Sequence, residues 1–162
     1  MTETKIFARL KADHDRHREL LDRIDATQGD SDERRTLFET FRVEVTAHAA
    51  SEEMSLYATM LANPELRDEA QHSVAEHKEI EDYLTELYEM DFSSTGWLTR
   101  FRTMKDRYLH HIDEEEEEMF PQAEKGLSDT KKRELIRIFE KEKPKEKAKA
   151  AGEEPSSEHA KA

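Results

Sequence analysis

The sequence predicts an all-α protein: an up-down-up-down four-helix bundle with an additional C-terminal helix and a disordered tail. Three observations carry this. Apolar residues recur in steps of three and four along four long segments, the spacing of one helix face. Glycine and proline number only four each in 162 residues, which disfavours sheet-and-turn architectures. A set of residues also recurs at an offset of 63, with His14, His48 and Glu52 matched by His77, His111 and Glu115. Leu21, Phe38 and Leu56-Tyr57 are matched in the same way by Leu84, Phe101 and Met119-Phe120. The offset makes the first two helices one hairpin and the next two a second, related by internal duplication.

The first helix is expected over residues 4–26, with Phe7, Leu10, His14, His17, Leu21 and Ile24 facing inward and Gln28-Gly29-Asp30 ending it. A second follows from Ser31, with Ser31 or Asp30 as N-cap. It carries Phe38, Phe41, Val45, His48, Glu52 and Leu56 and closes at Asn63-Pro64. Pro64 suits the first turn of a third helix, which runs to residue 90 with Ala70, Ser73, His77, Ile80, Leu84 and Leu87 inward. After a loop over residues 91–96, with Ser93 or Ser94 as cap, a fourth helix runs to residue 122, with Pro121 marking its end. Its stripe is Phe101, Met104, Tyr108, His111, Glu115 and Met119. The short connections make neighbouring helices antiparallel.

This assigns residues 1–127 to the bundle and residues 128–143 to the additional helix, which carries Leu135, Ile136 and Phe139. Residues 144–162 are expected to be a disordered charged tail, since almost nothing apolar in them offsets the entropy of ordering.

Composition narrows the function. With 35% hydrophobic and 40% charged residues, the chain suits long helices with narrow apolar stripes. A formal net charge of −13 argues against nucleic acid and anionic membranes as partners. The absence of cysteine excludes disulfides, thiolate metal sites and a cysteine nucleophile, and fits a cytoplasmic location. The first 17 residues hold no apolar core long enough for a signal peptide, and no stretch approaches the ~20 apolar residues of a membrane span.

The repeated triplet points to a metal. Positions i and i+4 share a helix face, so His48/Glu52 and His111/Glu115 each present an imidazole and a carboxylate side by side, in phase with the apolar stripe. An unpaired buried carboxylate costs several kcal/mol, so two at equivalent depth call for a compensating cation. His14 and His77 complete a ring of four imidazoles and two carboxylates, which suits two iron, zinc or manganese ions. A carboxylate can bridge two ions, and Glu52 and Glu115 are the natural bridges. His110 and Glu114 have the same spacing, but His110 lies about 100° off the apolar stripe and outside the repeat. Glu53 is set aside by the same logic, and His72, His110 and His159 read as solvent-exposed. His17, in phase but matched by Ile80, is a candidate extra ligand or an outer partner of one. Tyr108 also points inward, as core packing, as a hydrogen-bond donor to a bound species, or as a redox-active phenol.

These residues resemble the hemerythrin-like, or HHE cation-binding, family. The order H…HxxxE…H…HxxxE is matched by His14, His48-Ala-Ala-Ser-Glu52, His77 and His111-Ile-Asp-Glu-Glu115, and the flanks HAASEEMSLY and HIDEEEEEMFP look like the family signature. The resemblance covers residues 5–121. It implies a non-haem centre of two iron ions, cycling between Fe2+ and Fe3+ and bridged by an oxo or hydroxo group and the two carboxylates. It also implies a diatomic or peroxide ligand. The chain departs from the oxygen-carrying members in two places. Ser73 stands where they have a second histidine one turn before His77, and HxxxE replaces their HxxxxD. The lost histidine leaves an open or water-filled coordination position unless His17 or Tyr108 fills it, and an open position favours reactivity over reversible carriage. The chain also lacks the cysteine-bearing region of the iron–sulfur cluster repair proteins.

The expected function is therefore a di-iron protein that binds, senses or reduces oxygen, peroxide or nitric oxide. The alternative is a non-enzymatic iron, oxygen or redox sensor acting through a protein partner at residues 128–162.

Overall fold

The computed structural model describes residues 5–152. Helix α1 spans Lys5–Asp25 and buries Phe7, Leu10, His14, His17, Leu21 and Ile24, the predicted stripe. The chain then turns at Gly29, whose φ of +60° lies in the left-handed region that glycine enters without steric cost. Helix α2 spans Asp32–Glu52 and starts at Ser31, whose side chain accepts a hydrogen bond from the Arg34 amide at 3.0 Å. The same rod continues through a π-helical turn at Glu53–Tyr57 into α3, Ala58–Leu61.

Helix α4 spans Arg67–Glu89, three residues later than Pro64 suggested. The Asn63 carbonyl accepts from the Leu66 amide at 3.0 Å and its side chain from the Glu65 amide at 2.9 Å. That turn satisfies donors that a first helical turn would leave orphaned. Ser94 caps α5, Thr95–Glu114, by accepting from the Trp97 amide at 3.2 Å. A second π-helical turn, Glu115–Met119, leads into α6, Phe120–Gly126. Pro121 therefore does not end the fourth helix. The Phe120 amide already reaches back five residues to the Glu115 carbonyl, so the α-helical ladder is interrupted where proline lacks its donor.

The expectation of an unstructured tail from residue 144 is also corrected. Helix α7 spans Asp129–Ala151 with Pro144 inside it, and ends at Gly152 in a left-handed cap with φ +74°. An interior proline costs about 3 kcal/mol. Polar anchors to α1 and α2 hold the helix beyond it. Lys143 Nζ lies 2.9 Å from Asp13, Lys147 Nζ lies 2.9 Å from Glu44, and Arg42 donates to the Ala150 carbonyl at 3.0 Å. These contacts are side-chain reach across helices, which a scan for apolar residues does not register. The rest of the expected tail, residues 153–162, lies outside the described residues.

The two hairpins, α1–α2 and α4–α5, pack into a bundle, with α1 against α5 and α2 only sparsely against α4. Helix α7 lies on α1 and α2, burying Leu135 and Phe139. The core has two parts. One, around Leu21, Phe38, Phe41, Leu84, Trp97 and Phe101, fills the end near the α1–α2 and α4–α5 loops. The other, around Phe7, Leu56, Met60, Phe120 and Phe139, fills the opposite end. The predicted polar positions fall between these two apolar blocks. Among the described residues no helix is long and apolar enough to cross a membrane.

Candidate metal centre

Four helices bring the predicted residues to one depth. His14 comes from α1, His48 and Glu52 from α2, His77 from α4, and His111 from α5 with Glu115 just past its end. All six are buried. The rings pair by hairpin: His14 and His48 have centroids 5.1 Å apart, and His77 and His111 4.9 Å. Each carboxylate lies between the pairs. Glu52 Oε1 is 3.5 Å from His48 Nε2 and 3.3 Å from His77 Nε2. Glu115 Oε1 is 3.1 Å from His14 Nε2, and its Oε2 is 4.0 Å from His111 Nε2. Ligand atoms of His14, His48, Glu52 and Glu115 form one group within 4.8 Å of one another, and those of His77, His111 and Glu115 form a second.

The hydrogen bonding separates the two faces of this ring. On the outside, each histidine has its Nδ1 on a carboxylate: His14 on Glu116 at 2.7 Å, and His48 on Asp13, His77 on Glu53 and His111 on Glu76 at 2.8 Å each. A carboxylate can only accept, so each Nδ1 carries the proton and Nε2 faces inward. On the inside, His14 Nε2, His48 Nε2, both oxygens of Glu52 and Glu115 Oε1 are buried without a hydrogen-bond partner. His14 Nε2 and Glu115 Oε1 are 3.1 Å apart but not aligned for a hydrogen bond. Buried polar atoms are almost always satisfied, so a concentration of orphans that are all metal-ligand types fits a cation.

The outer carboxylates obey the same 63-residue repeat: Asp13 matches Glu76, and Glu53 matches Glu116. Helical phase sets Glu53 aside as a ligand, places Glu116 in a run of acids that reads as a solvated face, and assigns no role to Asp13 or Glu76. The repeat itself was the signal that could have found all four. Asp13 is further set apart by Lys143 at 2.9 Å and by a contact with Arg9.

Burial disfavours a charged His14, but the adjoining Glu115 and Glu116 carboxylates overcome it and raise its pKa to about 9. Burial likewise opposes charging of His77, yet Glu52 and Glu53 raise it to about 10. Burial pushes Glu52 up, but the charges of His48 and His77 hold it well below the usual carboxylate range. Asp13 is lowered against its own burial by His48 and Lys143.

The two halves differ in their surroundings. His17 Nδ1 is 2.7 Å from the Tyr108 hydroxyl, and its Nε2 is buried without a partner. Burial and repulsion from His48 and His14 lower its pKa far below normal, so His17 is neutral. Its ring lies 5.2 Å from that of His48, outside the two tight ligand groups. His17 and Tyr108 thus stand together beside the first pair. Beside the second pair is a residue that sequence reasoning missed. The Tyr57 hydroxyl donates to Glu115 Oε2, sits 3.4 Å from His77 Nε2 and adjoins Ser73. In a regular α-helix Tyr57 would point about 140° away from Glu52. The π-helical turn brings both Leu56 and Tyr57 inward, and nothing in the sequence pattern announces that turn.

His72 and His110 are exposed, as expected. His72 joins Glu76 and Glu114 in a shallow surface group. His159 lies outside the described residues.

Comparison with known proteins agrees with this geometry. The profile of the hemerythrin HHE cation-binding domain matches residues 5–123, so the chain belongs to that family and is, by class, a cation-binding helical bundle. Among solved structures it is similar to a hemerythrin HHE cation-binding domain-containing protein from Mycobacterium kansasii. The TM-score is 0.71 and the identity 24%, over 94% of this chain and 89% of that one. At that identity the likeness shows the fold alone. No curated protein matches.

Proposed function

We propose that this chain is a non-haem di-iron protein that binds and reduces a small oxidant, with His14, His48, Glu52, His77, His111 and Glu115 holding the two ions. The observation that carries this reading is the two-faced ring: four Nδ1 groups anchored on carboxylates outside, and unpartnered Nε2 and carboxylate atoms inside. Imidazole with carboxylate suits iron, zinc and manganese alike, and iron is preferred because the family resemblance implies it. When bound, two iron ions would supply one-electron redox steps and a place for oxygen, peroxide or nitric oxide.

The chain's own residues supply the rest. Asp13, Glu53, Glu76 and Glu116 fix the ring orientations and tautomers, and raise the basicity of the inward nitrogens. The apolar blocks on either side exclude water and lower the local dielectric. Burial and the nearby Glu115 and Glu52 carboxylates keep Tyr57 protonated, so its hydroxyl is a donor at the second pair. Tyr108, kept protonated by burial and the same two carboxylates, pairs with His17 at the first. The lone serine at position 73, with Tyr57 beside it, leaves the second pair one imidazole short of an oxygen carrier, which favours reduction over carriage.

The test is anaerobic reduction of iron-loaded protein followed by exposure to oxygen, hydrogen peroxide or nitric oxide. Optical changes that consume oxidant in proportion to iron support the reading, and iron that is spectroscopically inert to all three sinks it.

A sensor role is favoured by one contact, the link from α7 through Lys143 and Asp13 to His48, which ties an outer helix to the ring. Against it, Leu135 and Phe139 of α7 are already buried within the chain and so not free for a partner.

A further inference from the structure

The sparse packing of α2 against α4 leaves a cleft of about 710 Å³ whose deep end reaches His48, His77 and Tyr108. Its sides are apolar: Val45 and Ala49 from α2, and Val74, Ile80 and Leu84 from α4. Its rim carries Thr46, Arg42, Lys78 and Tyr88, the last 61% exposed although large and aromatic. Arg42 lies over the Tyr88 ring at 5.5 Å and is tied to Glu39 and the Ala150 carbonyl, so this lip is held in place.

The size is out of proportion to a diatomic or hydrogen peroxide, each of which needs on the order of one water's ~30 Å³. Clefts of ~300–1,000 Å³ with apolar walls and a few polar groups are the normal dimension for an organic ligand. Charges at the rim have both signs: Arg42 pairs with Glu39 and Lys78 with Asp82 at 3.1 Å, while Glu81 and Glu89 add negative charge beside them. Recognition of a charged head group is therefore not what the cleft is built for. What it offers is an apolar wall leading to two imidazoles, one from each half of the ring, and a phenol.

We infer that the α2/α4 cleft is the substrate channel of this centre and that it admits neutral organic hydroperoxides, with the organic part against Val45, Val74 and Leu84 and the O–O bond directed at the ring. This rests on the di-iron reading above. The reaction it implies is ROOH + 2 H+ + 2 e− → ROH + H2O. The O–O bond breaks, one oxygen leaves in the alcohol and the other as water. Two iron ions bound in the ferrous state by the six ring residues would supply the two electrons, one each.

Two experiments separate the channel from the chemistry. The first uses metal-free protein and an unreactive homologous series, 1-butanol to 1-octanol, followed by methyl NMR. Saturable shifts at Val45, Val74 and Leu84, with affinity rising about fourfold per methylene, are expected. The Thr46→Trp variant, which fills the mouth from an exposed position, should abolish them, and Ala49→Phe provides a second plug if the first folds poorly. The second measures single-turnover oxidation of chemically reduced, iron-loaded protein by cumene hydroperoxide and by hydrogen peroxide. Plugging should lower the ratio of the two second-order rate constants at least tenfold. Absence of saturable alcohol binding, or equal loss with both peroxides, overturns the channel. Because the first experiment needs no iron, failure of the di-iron reading shows itself separately, as reduced protein that reacts with neither peroxide while alcohol binding stands.

Discussion

Each inward imidazole depends on the carboxylate behind it. Asp13 is the most enclosed of the four, receiving His48, Lys143 and Arg9 together. Replacing it by Asn keeps the shape but removes the charge that holds the Nδ1 proton of His48. Outer partners of this kind are worth about 10–100-fold in metal affinity. Asp13→Asn should weaken iron binding by that factor in a chelator competition, without loss of helix content. Tyr57→Phe tests the residue that helical phase did not reveal. In metal-free protein it leaves Glu115 Oε2 without its donor, and should lower stability to urea by about 1–3 kcal/mol. The six ring residues were legible because ligand chemistry, helical phase and the repeat all selected them. Tyr57 was not, because its inward turn depends on a five-residue ladder that periodicity of 3.6 cannot see.

At the scale of the element, α7 shows what a sequence reading loses when it follows apolar residues alone. Leu135 and Phe139 announced the first half of the helix, and both are buried. The second half is held by Lys143, Lys147 and the Arg42–Ala150 contact, interactions defined by three-dimensional reach. Lys143 is buried against Asp13, so Lys143→Met should destabilise the fold by about 1–3 kcal/mol. That is less than an isolated buried pair, because Arg9 and His48 still face Asp13. Hydrogen exchange should then accelerate selectively in residues 140–151, and uniform acceleration along α7 would show that Lys143 is not its anchor. The two π-helical turns make the same point from inside the bundle. The HxxxE segments were placed correctly, but the stop expected at Pro121 was not, because the ladder had already shifted.

For the whole molecule, the metal-free ring makes stability depend on pH. His14 and His77 have folded pKa values of about 9 and about 10, above the ~6.5 of an unfolded histidine. Their contribution is complete below about pH 6.5 and is lost as pH rises through those folded values. Metal-free protein should therefore become progressively less resistant to urea from pH 6.5 to 10. Binding of metal requires neutral imidazole, so loading near pH 7.5 should release protons from these two residues, measurable as buffer-dependent heat in calorimetry. A flat urea profile for metal-free protein across that range would mean that the ring carries no such charge.

On the proposed reading, this bundle encloses two iron ions held by His14, His48, Glu52, His77, His111 and Glu115. Elemental analysis of protein purified without chelators tests it most directly, with wild type set beside a His48→Leu/Glu52→Leu variant. About two iron atoms per chain are expected in the wild type, with loss of at least one in a variant that keeps its helix content. Metal content well below one per chain after growth in iron-replete medium, or unchanged iron in the variant, would contradict it.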